Sequence, residues 1–119
     1  MSNLYQEELM DHYRYPRNRG VVAGATFTHE ELNPSCGDVI GLTGKIENGY
    51  IVQIAFTGSG CVISQAAASM LTEQVKGLTV TDACKLGGVW MQELVGIPLG
   101  PTRLRCALLA LQVLQTALK

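Results

Sequence analysis

The sequence predicts an α+β fold, a three-stranded antiparallel sheet with helices packed on one face and a metal site at one end. Three observations carry this expectation. Strand-like segments fill the first half and helix-like segments the second, the order of a sheet whose helices are segregated to one face. Asn48-Gly49 between two strand-like runs signals a two-residue hairpin, because a type I′ turn needs positive φ at both central positions. Cys36, Cys61 and Cys106 stand at element boundaries, and Asp38 lies two residues beyond the first of them.

Taken in order, residues 4–14 set Leu4, Tyr5, Leu9 and Tyr13 among polar neighbours, the pattern of a short amphipathic helix. Pro16 ends it, since the residue before proline avoids the helical region. Arg17-Asn18-Arg19-Gly20 is then expected to be a basic, mobile connector, more a solvated patch than a docking surface. Strands are expected over 25–32, 39–47 and 50–57. The third alternates imperfectly at Ile51, Ile54 and Phe56, so its register stays open. Residues 62–76 are rich in Ala and Ser, with Ile63, Ala67, Met70 and Leu71 on one helical face, and small residues permit close packing. Gly77 stops that helix, and Thr79 or Thr81 can cap a short one running to Lys85. Gly87-Gly88 breaks the chain before a helical stretch at 90–94. Residues 96–101, with two prolines, form a rigid approach to a last helix over 102–118. That helix is apolar on most sides (Leu104, Leu108, Leu111, Val113, Leu114, Leu118) and is expected to be central.

The chain has 119 residues, 47% of them hydrophobic, enough for one domain (1–119) with its own core. A net charge of −1 gives no reason to expect nucleic acid or an acidic membrane surface as partner. No apolar run approaches the roughly 20 residues that span a bilayer. The opening residues are polar and acidic, unlike a secretory signal, so a cytoplasmic protein with reduced thiols is expected. Two disulfides are the competing use of four cysteines, but stapled secreted domains are usually poor in core residues.

Free cysteine often behaves as a small buried hydrophobe, and Cys84, inside Asp82-Ala83-Cys84-Lys85-Leu86, is assigned to packing on that ground. The other three differ. Cys36 sits between Pro34 and Gly37, Cys61 opens a helix whose unpaired N–H groups favour negative charge, and Cys106 follows Arg103-Leu104-Arg105 in the first turn of the last helix. Thiolate is the form that binds metal, and helix N-termini and cations stabilise it. With Asp38 the three would make a tetrahedral set with one hard, exchangeable corner, although Asp38 could equally cap its own loop. Arg103 and Arg105 cannot coordinate, but they could neutralise an anionic cluster. Spacing alone is weakly specific, since no Cys-x-x-Cys pair exists. Gly58-Ser59-Gly60 lacks the Lys-Ser/Thr of a phosphate loop. His12 is expected to be packed or capping and His29 to lie on an exposed strand position.

Together these segments resemble the iron–sulfur cluster assembly scaffold family, the IscU, SufU and NifU N-terminal domain group, nearly end to end. Met10-Asp11-His12-Tyr13 with Pro16-Arg17-Asn18 and Gly20 is similar to the family's opening helix and basic turn. Asn33-Pro34-Ser35-Cys36-Gly37-Asp38, Gly58-Ser59-Gly60-Cys61 and Arg103-Leu104-Arg105-Cys106-Ala107 are similar to its three ligand loops. Each motif is modest alone; four in order are specific.

The resemblance implies that Cys36, Asp38, Cys61 and Cys106 hold iron as a nascent [2Fe–2S] cluster, with Asp38 tuning its lability and zinc as an alternative occupant. It implies a cysteine desulfurase as sulfur donor and apo iron–sulfur proteins as recipients. Cys106 is the expected persulfide acceptor, on the view that Arg103 and Arg105 raise its thiolate fraction. Arg105 stands where the IscU branch has histidine. Leu99-Gly100-Pro101-Thr102-Arg103 replaces that branch's Leu-Pro-Pro-Val-Lys, which weakens the expectation of chaperone delivery. Both features look more like SufU, yet the stretch from Cys61 to Cys106 is short for the SufU insertion. The readings are therefore a scaffold or carrier rather than an enzyme, a zinc-dependent persulfide relay, or a structural zinc module. The oxygen corner weighs against the last.

Overall fold

The computed structural model describes residues 2–34 and 36–119; Met1, and Ser35 of the Asn33–Asp38 motif, lie outside them. In chain order the elements are α1 (Ser2–Arg14), β1 (Phe27–Leu32), β2 (Val39–Glu47), β3 (Tyr50–Ser59), α2 (Val62–Val75), α3 (Val80–Cys84), α4 (Gly88–Val95) and α5 (Pro101–Leu118). The strands form one antiparallel sheet in the order β1-β2-β3, and α2 and α5 pack on it.

Asn48 and Gly49 take φ of 53° and 81°, and Glu47 pairs with Tyr50 across them, the expected type I′ hairpin. Within it Lys45 pairs with Gln53 but Ile46 pairs with Ile51, so Val52 is an extra residue in β3. This bulge explains the broken alternation in the sequence. It returns both Ile51 and Ile54 to the buried face although they are three residues apart. β3 also runs past its expected end: Gly58 and Ser59 remain in the sheet, paired with Ile40 and Val39.

The core joins Ile40, Leu42, Ile51, Ile54 and Phe56 of the sheet to Ala67, Met70 and Leu71 of α2 and Ala110, Leu111 and Leu114 of α5. The most enclosed helix is α2, not α5 as its apolar composition suggested. Eleven residues of α2 are buried, from Ile63 to Val75, because Ala66-Ala67-Ala68-Ser69 lets α1, α5 and β3 all approach. By contrast α5 turns Arg103, Arg105, Gln112 and Thr116 to solvent.

Two further expectations are corrected. The segment 17–20 is not a mobile connector. Arg17 N–H donates to Ser69 Oγ (2.8 Å), Phe56 N–H to Asn18 O (2.8 Å) and Gly20 N–H to Phe56 O (2.9 Å), while the Arg19 guanidinium lies 5.6 Å from the centre of the Phe56 ring. Backbone pairing to the free edge of β3 outweighs the conformational freedom that a polar, glycine-containing turn would otherwise keep. Cys84 is exposed rather than packed; the neighbouring Ala83 takes the buried position at the end of α3. Gln115 of α5 donates to the carbonyls of Ala83, Cys84 and Leu86 there, satisfying acceptors that so short a helix leaves open. No helix among the described residues is long and apolar enough to cross a membrane.

Candidate metal centre

Sheet register assembles the first half of the site. Val39 opens β2 and Ser59 closes β3, and the two are paired, so the residues just outside the ladder, Asp38 and Cys61, are brought side by side. Cys61 is the N-cap of α2, with extended backbone (φ −73°, ψ 165°) and its sulfur facing the Ser64 N–H at 3.5 Å. Asp38 then binds Cys61 twice: Oδ1 accepts the backbone N–H and Oδ2 the thiol, both at 3.1 Å. Only 2% of Asp38 is exposed, so this carboxylate is a built part of the interior rather than a solvated loop residue.

The β1–β2 connection supplies Cys36. Its amide and that of Gly37 both donate to Asn33 O, at 3.3 and 2.8 Å, and Asp38 O accepts from Asn33 N–H at 2.8 Å. Gly37 takes φ +77°, which a side chain rarely adopts, and closes this tight turn. Cys36 is left exposed. Cys106 comes from α5 and is buried, with 3% exposure. It lies in the second turn of that helix rather than the first, because the helix begins at Pro101. Its sulfur stands 3.6 Å from the Cys36 sulfur.

Donor atoms of Cys36, Asp38 and Cys106 all lie within 4.8 Å of one another, and Cys61 joins the group through its bond to Asp38. In a tetrahedral site with Zn–S near 2.3 Å, two sulfurs are roughly 3.8 Å apart. The Cys36–Cys106 separation is close to that before any ion binds. The Cys36 and Cys106 sulfurs and the Asp38 oxygen are thus spaced for zinc or iron, while the Cys61 sulfur stands outside that mutual spacing and meets the group through Asp38.

Burial pushes the Asp38 carboxyl upward, but the Cys61 thiol and N–H, with Cys36 and Ser64, outweigh it and hold the group below the usual carboxylate range. Cys106 is pushed strongly the other way. Burial is the main cause, followed by hydrogen bonding to Cys36, Cys61 and Asp38 in its protonated form. The cationic reason for expecting a thiolate there is not realised. Arg103 and Arg105 are exposed, and burial with Cys36, Cys61 and Asp38 dominates the surroundings of Cys106. Arg105 instead lines a cavity of about 200 Å³ with Asn33 and Pro34, against the Cys36 loop. Burial thus favours the protonated form of Cys106, so a metal ion bound there would displace its proton.

His12 and His29 lie apart from this cluster. His12 is buried, its Nδ1 2.7 Å from Ser69 Oγ, and His29 is half-buried on β1, 2.9 Å from Glu31. Sequence reasoning passed over Ser64 and Gln65, both buried in the second row of the site. The signal for Ser64 was the helix start, since a residue three beyond an N-cap is where a side chain reaches back to the cap; Gln65 enters only through its bond to Ser64.

Comparison with known proteins adds the following. Residues 4–119 match the family described as the NifU-like N terminal domain. The chain is 32% identical to the zinc-dependent sulfurtransferase SufU of Bacillus subtilis, over 97% of this chain and 89% of that one. It is 38% identical to the iron–sulfur cluster assembly scaffold protein IscU of Aquifex aeolicus, over 100% of this chain and 76% of the other. Among solved structures it is similar to a putative iron–sulfur cluster assembly scaffold protein for the SUF system from Fervidobacterium islandicum. The TM-score there is 0.80 at 28% identity, covering 99% of this chain and 98% of that one.

Proposed function

Because this chain belongs to the NifU-like N-terminal domain family of iron–sulfur cluster assembly scaffolds, we propose that it builds a [2Fe–2S] cluster on Cys36, Asp38, Cys61 and Cys106 and hands it to apo-proteins. One observation carries the reading. Donors from three separate segments converge on one end of the sheet, and one of them is a buried carboxylate rather than a fourth sulfur. A permanent structural site prefers four soft ligands, whereas cargo leaves more readily when one corner is a labile oxygen.

Sulfur would come from a cysteine desulfurase. In that step the terminal sulfur of the donor's persulfide passes to a thiol of this chain, whose proton goes to the donor's own sulfur as that leaves. Cys106 is the proposed acceptor, its sulfur adjacent to that of the exposed Cys36. A persulfide there would be shielded from solvent once formed. Alkylation followed by mass mapping, after mixing with desulfurase and free cysteine, tests the assignment. Persulfide on Cys36 or Cys61 alone would reverse it.

A second reading is a zinc-dependent persulfide relay, favoured by the similarity to a sulfurtransferase and by Arg105 where the other branch has histidine. Metal and acid-labile sulfide measured after anaerobic purification separate the two. Iron with sulfide supports the scaffold, and zinc without sulfide that resists exchange by iron and sulfide supports the relay.

A further inference from the structure

We propose that Ser64, oriented by Gln65, is a positioning residue for this centre, one whose amide and hydroxyl together hold Cys61 in the place from which its sulfur serves as a donor. The inference rests on the proposed cargo site and concerns what keeps two of its donors aligned once loaded.

Ser64 is fully buried in the first turn of α2. Its oxygen accepts from Gln65 Nε2 at 3.3 Å, which directs its single proton away from Gln65. That proton goes to Cys61 O at 3.2 Å. The Cys61 sulfur lies 3.8 Å from Oγ and accepts from the Ser64 N–H at 3.5 Å. Cys61, which Ser64 holds, is also bonded twice to Asp38, so the serine acts on a corner made of two donors.

Three contacts tie Ser64 to Cys61: its N–H donates to the Cys61 sulfur, its hydroxyl donates to the Cys61 carbonyl, and the sulfur lies within reach of that same hydroxyl. Cys61 is therefore fixed from the end of the sheet by Asp38 and from the first turn of α2 by Ser64. Groups that orient a ligand in this way set how well it can meet an ion. Gln65 is 7% exposed, and among the described residues its Oε1 has no partner while its Nε2 serves Ser64. A buried amide left half-satisfied is costly, and such cost is commonly retained where function needs the group.

The test is Zn²⁺ affinity by chelator competition, with Co²⁺ absorption as a spectroscopic readout. Substitutions beyond the ligands usually cost about 10- to 100-fold in metal affinity. Ser64→Ala is expected in that range, with a shifted sulfur-to-cobalt charge-transfer band, and Ser64→Thr is expected to recover most of the loss. Gln65→Met, which leaves the hydroxyl in place but unoriented, should lose about 3- to 10-fold, and it serves if Ser64→Ala does not fold. In an Asp38→Ala background the cost of Ser64→Ala should shrink, because the two act on one corner. Zn²⁺ affinity and cobalt spectra unchanged in Ser64→Ala or in Gln65→Met would overturn the proposal while leaving the cargo site intact. If the unsubstituted protein bound neither Zn²⁺ nor a cluster, the underlying site reading would fail instead.

Discussion

Gly60 leaves vacant the space that Asp38 fills. A β-carbon at residue 60 would overlap Asp38 Oδ1 and stand 2.5 Å from its Cγ, and the backbone there holds φ at +138°. The glycine before Cys61 is thus required twice, by its conformation and by its neighbour. Gly60→Ala is expected to destabilise the protein by about 1–3 kcal/mol through backbone strain. It should also weaken Zn²⁺ binding at least tenfold, because it displaces Asp38 and the adjoining Cys61 together. Thermal unfolding and metal competition measure the two effects; wild-type affinity would mean that the carboxylate is not a ligand.

Asp38→Ala should act on cargo in the opposite sense. It deletes the exchangeable oxygen while Cys61 keeps its N-cap contact with the Ser64 N–H, so a reconstituted cluster is expected to persist severalfold longer under anaerobic conditions. Decay of visible absorbance is the readout, and faster loss than in the unsubstituted protein would contradict the role given to Asp38. Two substitutions at one corner thus separate a displaced ligand set from a deleted labile ligand.

Much of this was readable from local chemistry. The Asn48-Gly49 turn, the stop at Gly77 and the junction positions of Cys36 and Cys61 rest on one or two residues and survive in the fold. What could not be read depends on partners distant in the chain. The bulge at Val52 hid the register of β3, and only pairing with β2 reveals it. The basic turn looked free because its anchors, Ser69, Thr72 and Phe56, lie dozens of residues away. The arginines beside Cys106 looked electrostatic by sequence proximity, yet a helix turns neighbouring residues to different sides, and both face solvent.

Cys84 gives a simple contrast. It is exposed at the end of α3 and belongs to no donor cluster among the described residues. Cys84→Ala should change stability by no more than about 0.5 kcal/mol, as is usual for surface substitutions. Metal content per chain should be unchanged, and any fall in bound zinc or iron would assign Cys84 a role in loading.

His12 links stability to pH. Ser69 Oγ already accepts the Arg17 N–H at 2.8 Å, so its hydroxyl proton is free to go to His12 Nδ1 at 2.7 Å. That places the ring proton on Nε2, 3.4 Å from Glu73. Burial lowers the His12 pKa from 6.5 and Arg17 adds to this, while Glu73, Glu8 and Asp11 oppose them. The folded protein therefore binds the proton less readily than the unfolded chain does. Stability from this group is complete above pH 6.5 and declines as pH falls below it, until the lower folded pKa is passed. The thermal midpoint of the metal-free protein should drop between pH 7.5 and 5.5 by more than that of His12→Gln, which cannot titrate. Equal slopes for the two proteins would show that the contact of α1 with α2 does not depend on a neutral imidazole.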